Sequence, residues 1–269
     1  MAQSEIKNEH PKSEAEELPF VAPCRRLELT APLNWLKLGW QDFWRAPGTS
    51  LWYGGFLVLI SYLVTYFSWK LGGYILVLSL MSGFVFLAPV LAIGLYSISR
   101  QLQDGRQPHI GYCLREGRCH IGNEMVYSMI LLVIFLLWVR AASMVHVFFP
   151  LDADPPLTDV AIFLGVGSAV GSIFAAVAFA ASAFSLPMML DRQVDAVTAV
   201  ITSVNAVLRN KGPMALWAAI IVASLAVSFA TAFLGLAILM PVVGYGAWHG
   251  YRETIEADAW PENIRPAVE

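Results

Sequence analysis

Five stretches of this chain contain no Asp, Glu, Lys or Arg: Ala46 to Trp69, Leu71 to Ser99, Met125 to Val139, Val160 to Leu190 and Gly212 to Tyr251. A helix crosses a hydrocarbon core of about 30 Å with roughly 20 apolar residues. Most of these runs therefore match one crossing, and the last, 40 residues long, matches two. Inside lipid every backbone polar group needs a partner within its own segment, which selects helices for such runs. The expected fold is all-α: a polytopic membrane bundle of six transmembrane helices, with amphipathic interfacial helices on its cytoplasmic side.

The balance of residues agrees. Of 269 residues, 57% are apolar and only 14% charged, against about a quarter charged in soluble domains. The net charge of -3 comes with no basic stripe for a nucleic acid to follow, so nucleic-acid binding is excluded. Glu5, Glu9, Glu14, Glu16 and Glu17 precede the first apolar run, and no basic tip with a short apolar segment marks a signal peptide.

Residues 1–27 are rich in Glu, Pro and Ser and read as a disordered polar tail, residues 28–255 as the membrane domain, and 256–269 as a short second tail. Membrane-proximal Lys and Arg stay in the cytoplasm. All but Lys70 and Arg140 of the 17 basic residues fall on one side of the six-span arrangement. That predicts a multi-pass protein of the bacterial inner membrane with both termini cytoplasmic. Cys24, Cys113 and Cys119 then share the reducing side, and disulfides are not expected.

Ahead of the first span, Leu36, Trp40, Phe43 and Trp44 recur at helical spacing while Lys37, Gln41 and Arg45 point the other way. Between the fourth and fifth spans, Leu190, Val194, Val197, Ile201, Val204 and Leu208 form one stripe, with Asp191, Asp195, Thr198, Thr202, Asn205 and Arg209 opposite. Both patterns predict helices lying in the interface. Arg209 to Trp217 also resembles Arg45 to Trp52 with one residue inserted, and the connector Gln101 to Asn123 carries a weaker version. Three units of interfacial helix plus hairpin are expected. Trp35, Trp40, Trp44, Trp217, Trp248 and His249 are the expected interfacial anchors.

Within the spans, Gly165, Gly167, Gly171 and Ala175 return at near-helical intervals and mark the fourth span as a close-packing, central helix. Pro89 and Pro241 are expected to bend the second and sixth. Every Asp and Glu lies in a tail, a loop or a span end, which disfavours ion-coupled transport. Arg140 is placed to snorkel outward or pair with Asp152 or Asp154.

The chemistry is sparse. His109, Cys113, Cys119 and His120 match no zinc spacing, so no metal site is expected. His146 and His249 lie near opposite faces, a poor geometry for haem. There is no phosphate loop, nucleophile elbow or paired-histidine zinc motif. No catalytic residue and no cofactor are expected.

Several segments together resemble a bacterial membrane family catalogued as domain of unknown function family 2189: Trp35-Leu36-Lys37-Leu38-Gly39-Trp40 with Asp42, Ser50-Leu51-Trp52-Tyr53-Gly54, Leu186-Pro187-Met188-Met189-Leu190-Asp191-Arg192, and Met240-Pro241 through Trp248-His249-Gly250-Tyr251-Arg252. The likeness runs from about residue 30 to 255 and implies six inner-membrane spans but no activity. Some members carry the label of cytochrome c oxidase subunit I, which this chain contradicts by having too few spans and core histidines. The family pattern places a histidine where this chain has Tyr245, so a pair of ligands one turn apart is missing here. The leading expectation is a non-catalytic accessory or assembly subunit or a lipid-organising scaffold, its partners membrane lipid and other inner-membrane subunits. A small-solute channel, motivated by Ser61, Thr65, Ser224, Ser228 and Thr231, and a redox-complex subunit are the alternatives.

Overall fold

The computed structural model describes residues 19–71, 91–119, 121–148 and 156–263. Ten helices are described: α1 (Ala31–Arg45), α2 (Pro47–Leu71), α3 (91–103), α4 (Ile110–Cys119), α5 (Ile121–Phe148), α6 (Leu157–Ser182), α7 (Ser185–Asp191), α8 (Ala196–Arg209), α9 (Lys211–Ala230) and α10 (Leu236–Thr254). Local chemistry sets several ends. Pro32 sits in the first turn of α1 and Arg45 in its last, each where the helix tolerates or favours it. The Asp195 carboxylate caps α8 by accepting from the Val197 and Thr198 amides at 3.0 and 2.9 Å.

Four helical stretches are long and apolar enough to cross a membrane: Pro47–Phe67, Gly122–Val145, Leu157–Asp191 and Lys211–Ala230. Most of the expected second span, Pro89 included, lies outside the described residues. The expected sixth corresponds to α10, whose amino-terminal half is apolar and whose carboxy-terminal half carries Tyr245, Trp248, His249, Tyr251 and Arg252.

Packing is concentrated at one end of the bundle. Along the crossings the side chains stay open to the surroundings, as at Leu59, Leu63, Leu136, Leu164 and Phe229. At the closed end, Trp35, Trp217, Trp248, Phe184, Met188, Leu190 and Tyr251 form a dense core. Trp35 meets Trp217 edge to face at 5.5 Å and Phe184 at 6.3 Å, a geometry that suits the ring quadrupoles.

The central helix is α10, not α6. All of Pro241 to Trp248 is buried, and α10 packs on α1, α2, α7 and α9. Its closest neighbour is α1, because the two cross at glycines: a Cβ on Gly39 would collide with the Val242 carbonyl and lie 2.8 Å from the Gly246 amide nitrogen. The small residues expected to seat α6 do little among the described residues. Gly165 and Gly167 face open space, Gly171 has Trp138 Nε1 3.7 Å away, and Ala175 is exposed. The small-residue spacing identified a backbone that permits close approach, but the chain supplies its approach at Gly39 and Gly246.

The expected tails are corrected where they are described. Residues 19–28 and 255–263 form two straps joined to each other across the closed end. The Arg25 amide donates to the Thr254 carbonyl at 2.8 Å, the Glu256 amide to the Pro23 carbonyl at 2.9 Å, and Cys24 bridges to Ile255. Ala22, Cys24, Ala257 and Trp260 are buried. Few apolar residues suffice here because each strap pairs its backbone with the other and covers a core already built. Residues 1–18 and 264–269 lie outside the described ones.

Candidate functional site

Three carboxylates that sequence position assigns to connectors or helix ends are buried at the closed end: Asp42 on α1, Asp191 on α7 and Glu124 at the start of α5. Two of them organise polar hubs.

At the first hub, α1, α3 and α10 converge. His249 Nε2 donates to Asp42 Oδ2 at 2.7 Å, and the Ser99 hydroxyl donates to the same oxygen at 2.6 Å. Arg45 reaches the other carboxylate oxygen at 3.5 Å. Ser50 and Tyr245 pair their hydroxyls nearby at 2.8 Å, and Ser50 is tied to the Ala46 carbonyl. Ser, His and Asp are the residue types of an acyl-transfer triad, in which the imidazole stands between the other two. Here Ser99 and His249 both point at Asp42, the Ser99 hydroxyl lying 3.5 Å from the same Nε2. An Nε2 that holds a proton toward Asp42 cannot accept one from Ser99. The hub is a fan of donors on one carboxylate, suited to joining helices rather than to activating a nucleophile.

At the second hub, Asp191 Oδ2 accepts from Tyr251 at 2.9 Å, Arg252 at 3.0 Å and Arg192 at 3.2 Å. Arg192 continues into the carboxy-terminal strap, donating to the Trp260 carbonyl at 3.1 Å and to Asp258 at 3.3 Å. Burial would lower the Arg192 guanidinium, but Asp191 beside it holds it above the ordinary arginine value. Asn263 closes the strap by donating to the carbonyls of Met189, Leu190 and Arg192. Arg100 of α3 donates to the Leu190 carbonyl at 2.8 Å. Both hubs use α10, with His249 on one side and Tyr251 and Arg252 on the other.

Glu124 differs. It is 3% exposed and neither carboxylate oxygen has a hydrogen-bond partner among the described residues, an arrangement that native proteins seldom keep.

The expected interfacial anchors divide. Trp40 and Trp44 are exposed, while Trp35, Trp217 and Trp248 are buried and His249 is turned onto Asp42. Trp35 and Trp248 sit in the core with their polar edges partnered, Trp35 Nε1 donating to Glu253 at 2.6 Å and Trp248 Nε1 to Gln103 at 3.0 Å, and Trp217 meets the Trp35 ring edge to face. Pro241 is buried inside α10. Arg140 is exposed, and its expected partners Asp152 and Asp154 lie outside the described residues. Of the expected histidine and cysteine cluster, the Cys113 thiol bonds the His109 carbonyl and Gln101, while His120 lies outside the described residues. Among the described residues no group of three His, Cys, Asp or Glu could hold a metal.

The hydroxyls that motivated a solute path bond their own helices. Ser61 donates to the Leu57 carbonyl at 2.9 Å, Thr65 to Ser61 at 2.8 Å, Ser224 to Ile220 at 2.8 Å, Ser228 to Ser224 at 2.8 Å and Thr231 to Val227 at 2.9 Å. Two cavities of about 330 and 320 Å³ lie among the spans, both lined mainly by apolar side chains and both touching Leu57 and Met240.

Residues 76–191 match the family model described as predicted integral membrane protein (DUF2189). The match covers Leu186 to Asp191, which build the second hub, and omits α1 and α10. No curated protein and no solved structure matches the chain. The chain is an integral membrane protein with several apolar membrane-crossing helices.

Proposed function

We propose that this chain is a non-catalytic protein of the bacterial inner membrane that acts through contacts, as an accessory or assembly subunit of a larger membrane complex or as a lipid-organising scaffold. The observation that carries the reading is the wiring of its buried polar residues. Asp42 gathers donors from α3 and α10, Asp191 gathers donors from α10 and from Arg192 beside it, and the one trio with catalytic residue types is arranged as a fan. Such hubs fix where helices sit and leave the outside of the bundle to do the work.

The six-crossing topology with both ends in the cytoplasm forms part of this proposal. It draws on the distribution of Lys and Arg, and on the pairing of the two straps, which supports an even number of crossings. The three-unit plan draws on the junctions: α1 and α2 are separated only by Ala46, and α8 and α9 only by Asn210. These residues share a conformation, φ -135 and ψ 60 at Ala46, φ -121 and ψ 45 at Asn210. The facilitator reading is weaker, because the hydroxyls that would line a path are bonded to backbone.

Purification from the native host in mild detergent tests the proposal. Stoichiometric protein partners or a defined lipid complement are expected, and a lipid-poor monomer without partners would overturn it.

A further inference from the structure

The amphipathic helices α1 and α8 each leave part of their apolar surface outside the packed core. In α1 the buried residues are Ala31, Pro32, Trp35, Gly39, Asp42 and Phe43, while Leu33, Trp40 and Trp44 are exposed. In α8 the buried stripe is Thr198, Ala199, Thr202, Ser203 and Ala206. Its polar members are used internally: Thr202 accepts from the Ala22 amide at 3.1 Å, and Ser203 accepts from the Phe184 amide and donates to the Ala180 carbonyl. The apolar stripe of α8 turns outward, with Val197 45% and Leu208 59% exposed.

Both outward faces adjoin the start of a span, since α1 runs into α2 through Ala46 and α8 into α9 through Asn210. Each is therefore continuous with the lipid-facing surface of a crossing. Their charge is one-sided. Lys37 and Arg45 are exposed on α1, Arg209 ends α8 and Lys211 begins α9. The only carboxylate within α1 is the buried Asp42, and α8 contains none.

We propose that the outward faces of α1 and α8 form a binding surface for anionic phospholipid, the exposed indoles and aliphatic side chains entering the headgroup boundary and Lys37, Arg209 and Lys211 meeting the phosphates. This deepens the contact reading above by naming the lipid class. A basic side chain near an anionic surface strengthens binding about fivefold, and tryptophan favours the headgroup level.

The test uses the full-length protein reconstituted in equal parts phosphatidylglycerol and phosphatidylcholine. After extraction in mild detergent, mass spectrometry of the retained lipid should show preference for phosphatidylglycerol, reduced about fivefold or more in K37Q/R209Q/K211Q. In parallel, quenching of tryptophan fluorescence by lipid brominated near the headgroup should fall in W40F/W44F. It should hold in W260F, which alters a buried indole of the carboxy-terminal strap. Equal retention of the two lipids by the unaltered protein, an undiminished preference in the triple variant, or unchanged quenching in W40F/W44F would each overturn the inference. Recovery of a stoichiometric protein partner alongside equal lipid retention would sink this inference and leave the contact reading standing.

Discussion

Asp42 is the residue on which most depends locally, because its removal strands two donors at once. In D42A, His249 and Ser99 lose their common acceptor inside a closed core, and a loss of about 3 kcal/mol of unfolding free energy is expected in mixed-micelle denaturation. Glu124 calls for the opposite outcome. Its carboxylate is buried without a donor among the described residues, so E124L should stabilise the protein by about 1–3 kcal/mol in the same assay. At Asp195, slight burial would raise the carboxyl, but its bonds from Thr198 and Val197 hold it below the usual range. The native form thus favours the ionised group: the cap is fully effective above about pH 3.9, the ordinary aspartate value, and is lost as pH falls through the lower native value. D195A should cost about 1 kcal/mol at neutral pH, with a stability profile flatter than the parent's on the acid side. Composition could announce none of the first two roles, since an aspartate in a connector and an aspartate at a hub read alike. Trp40 and Trp44 are exposed alongside Lys37, whereas Leu36 and Phe43 of the same apolar pattern pack inward.

Among the elements, helix type and most of the crossings were legible from charge-free runs, since lipid imposes that rule on every crossing segment. Which face of each helix turns inward was not. Apolar periodicity assumes a hydrophobic interior against a polar exterior, and at the membrane boundary the exterior is also apolar. The buried side is then selected by fit: small residues and hydroxyls on α8, glycine on α1. The crossing of α1 and α10 illustrates this. Gly39→Ala places a methyl against the Val242 carbonyl and the Gly246 amide, and is expected to cost about 1–3 kcal/mol or shift the helix pair. The measurement is a thermal melt followed by tryptophan emission, because Trp35 rides on the same interface. The small residues of α6 mark the reverse case, a close-packing pattern whose partner does not lie within the chain's described residues.

For the molecule as a whole, the straps decide how the closed end is sealed. Truncation after Ile255 removes Trp260, Asn263 and the Asp258 contact to Arg192, and the Cys24 thiol, 6% exposed in the intact protein, should then react with a maleimide at least tenfold faster. The straps escaped notice because their backbone pairing leaves no periodicity in their side chains. Their position also orders events during synthesis. Arg25 and Glu256, which bond across the two straps, are 231 residues apart in the chain. At a ribosomal pace of roughly 5–20 residues per second, the first segment made waits roughly 10–50 s for the last. Until then Trp35 and Asp42 have no α10 to receive them, so each nascent copy passes through an interval in which its amino-terminal helix stands open to capture by chaperones or proteases.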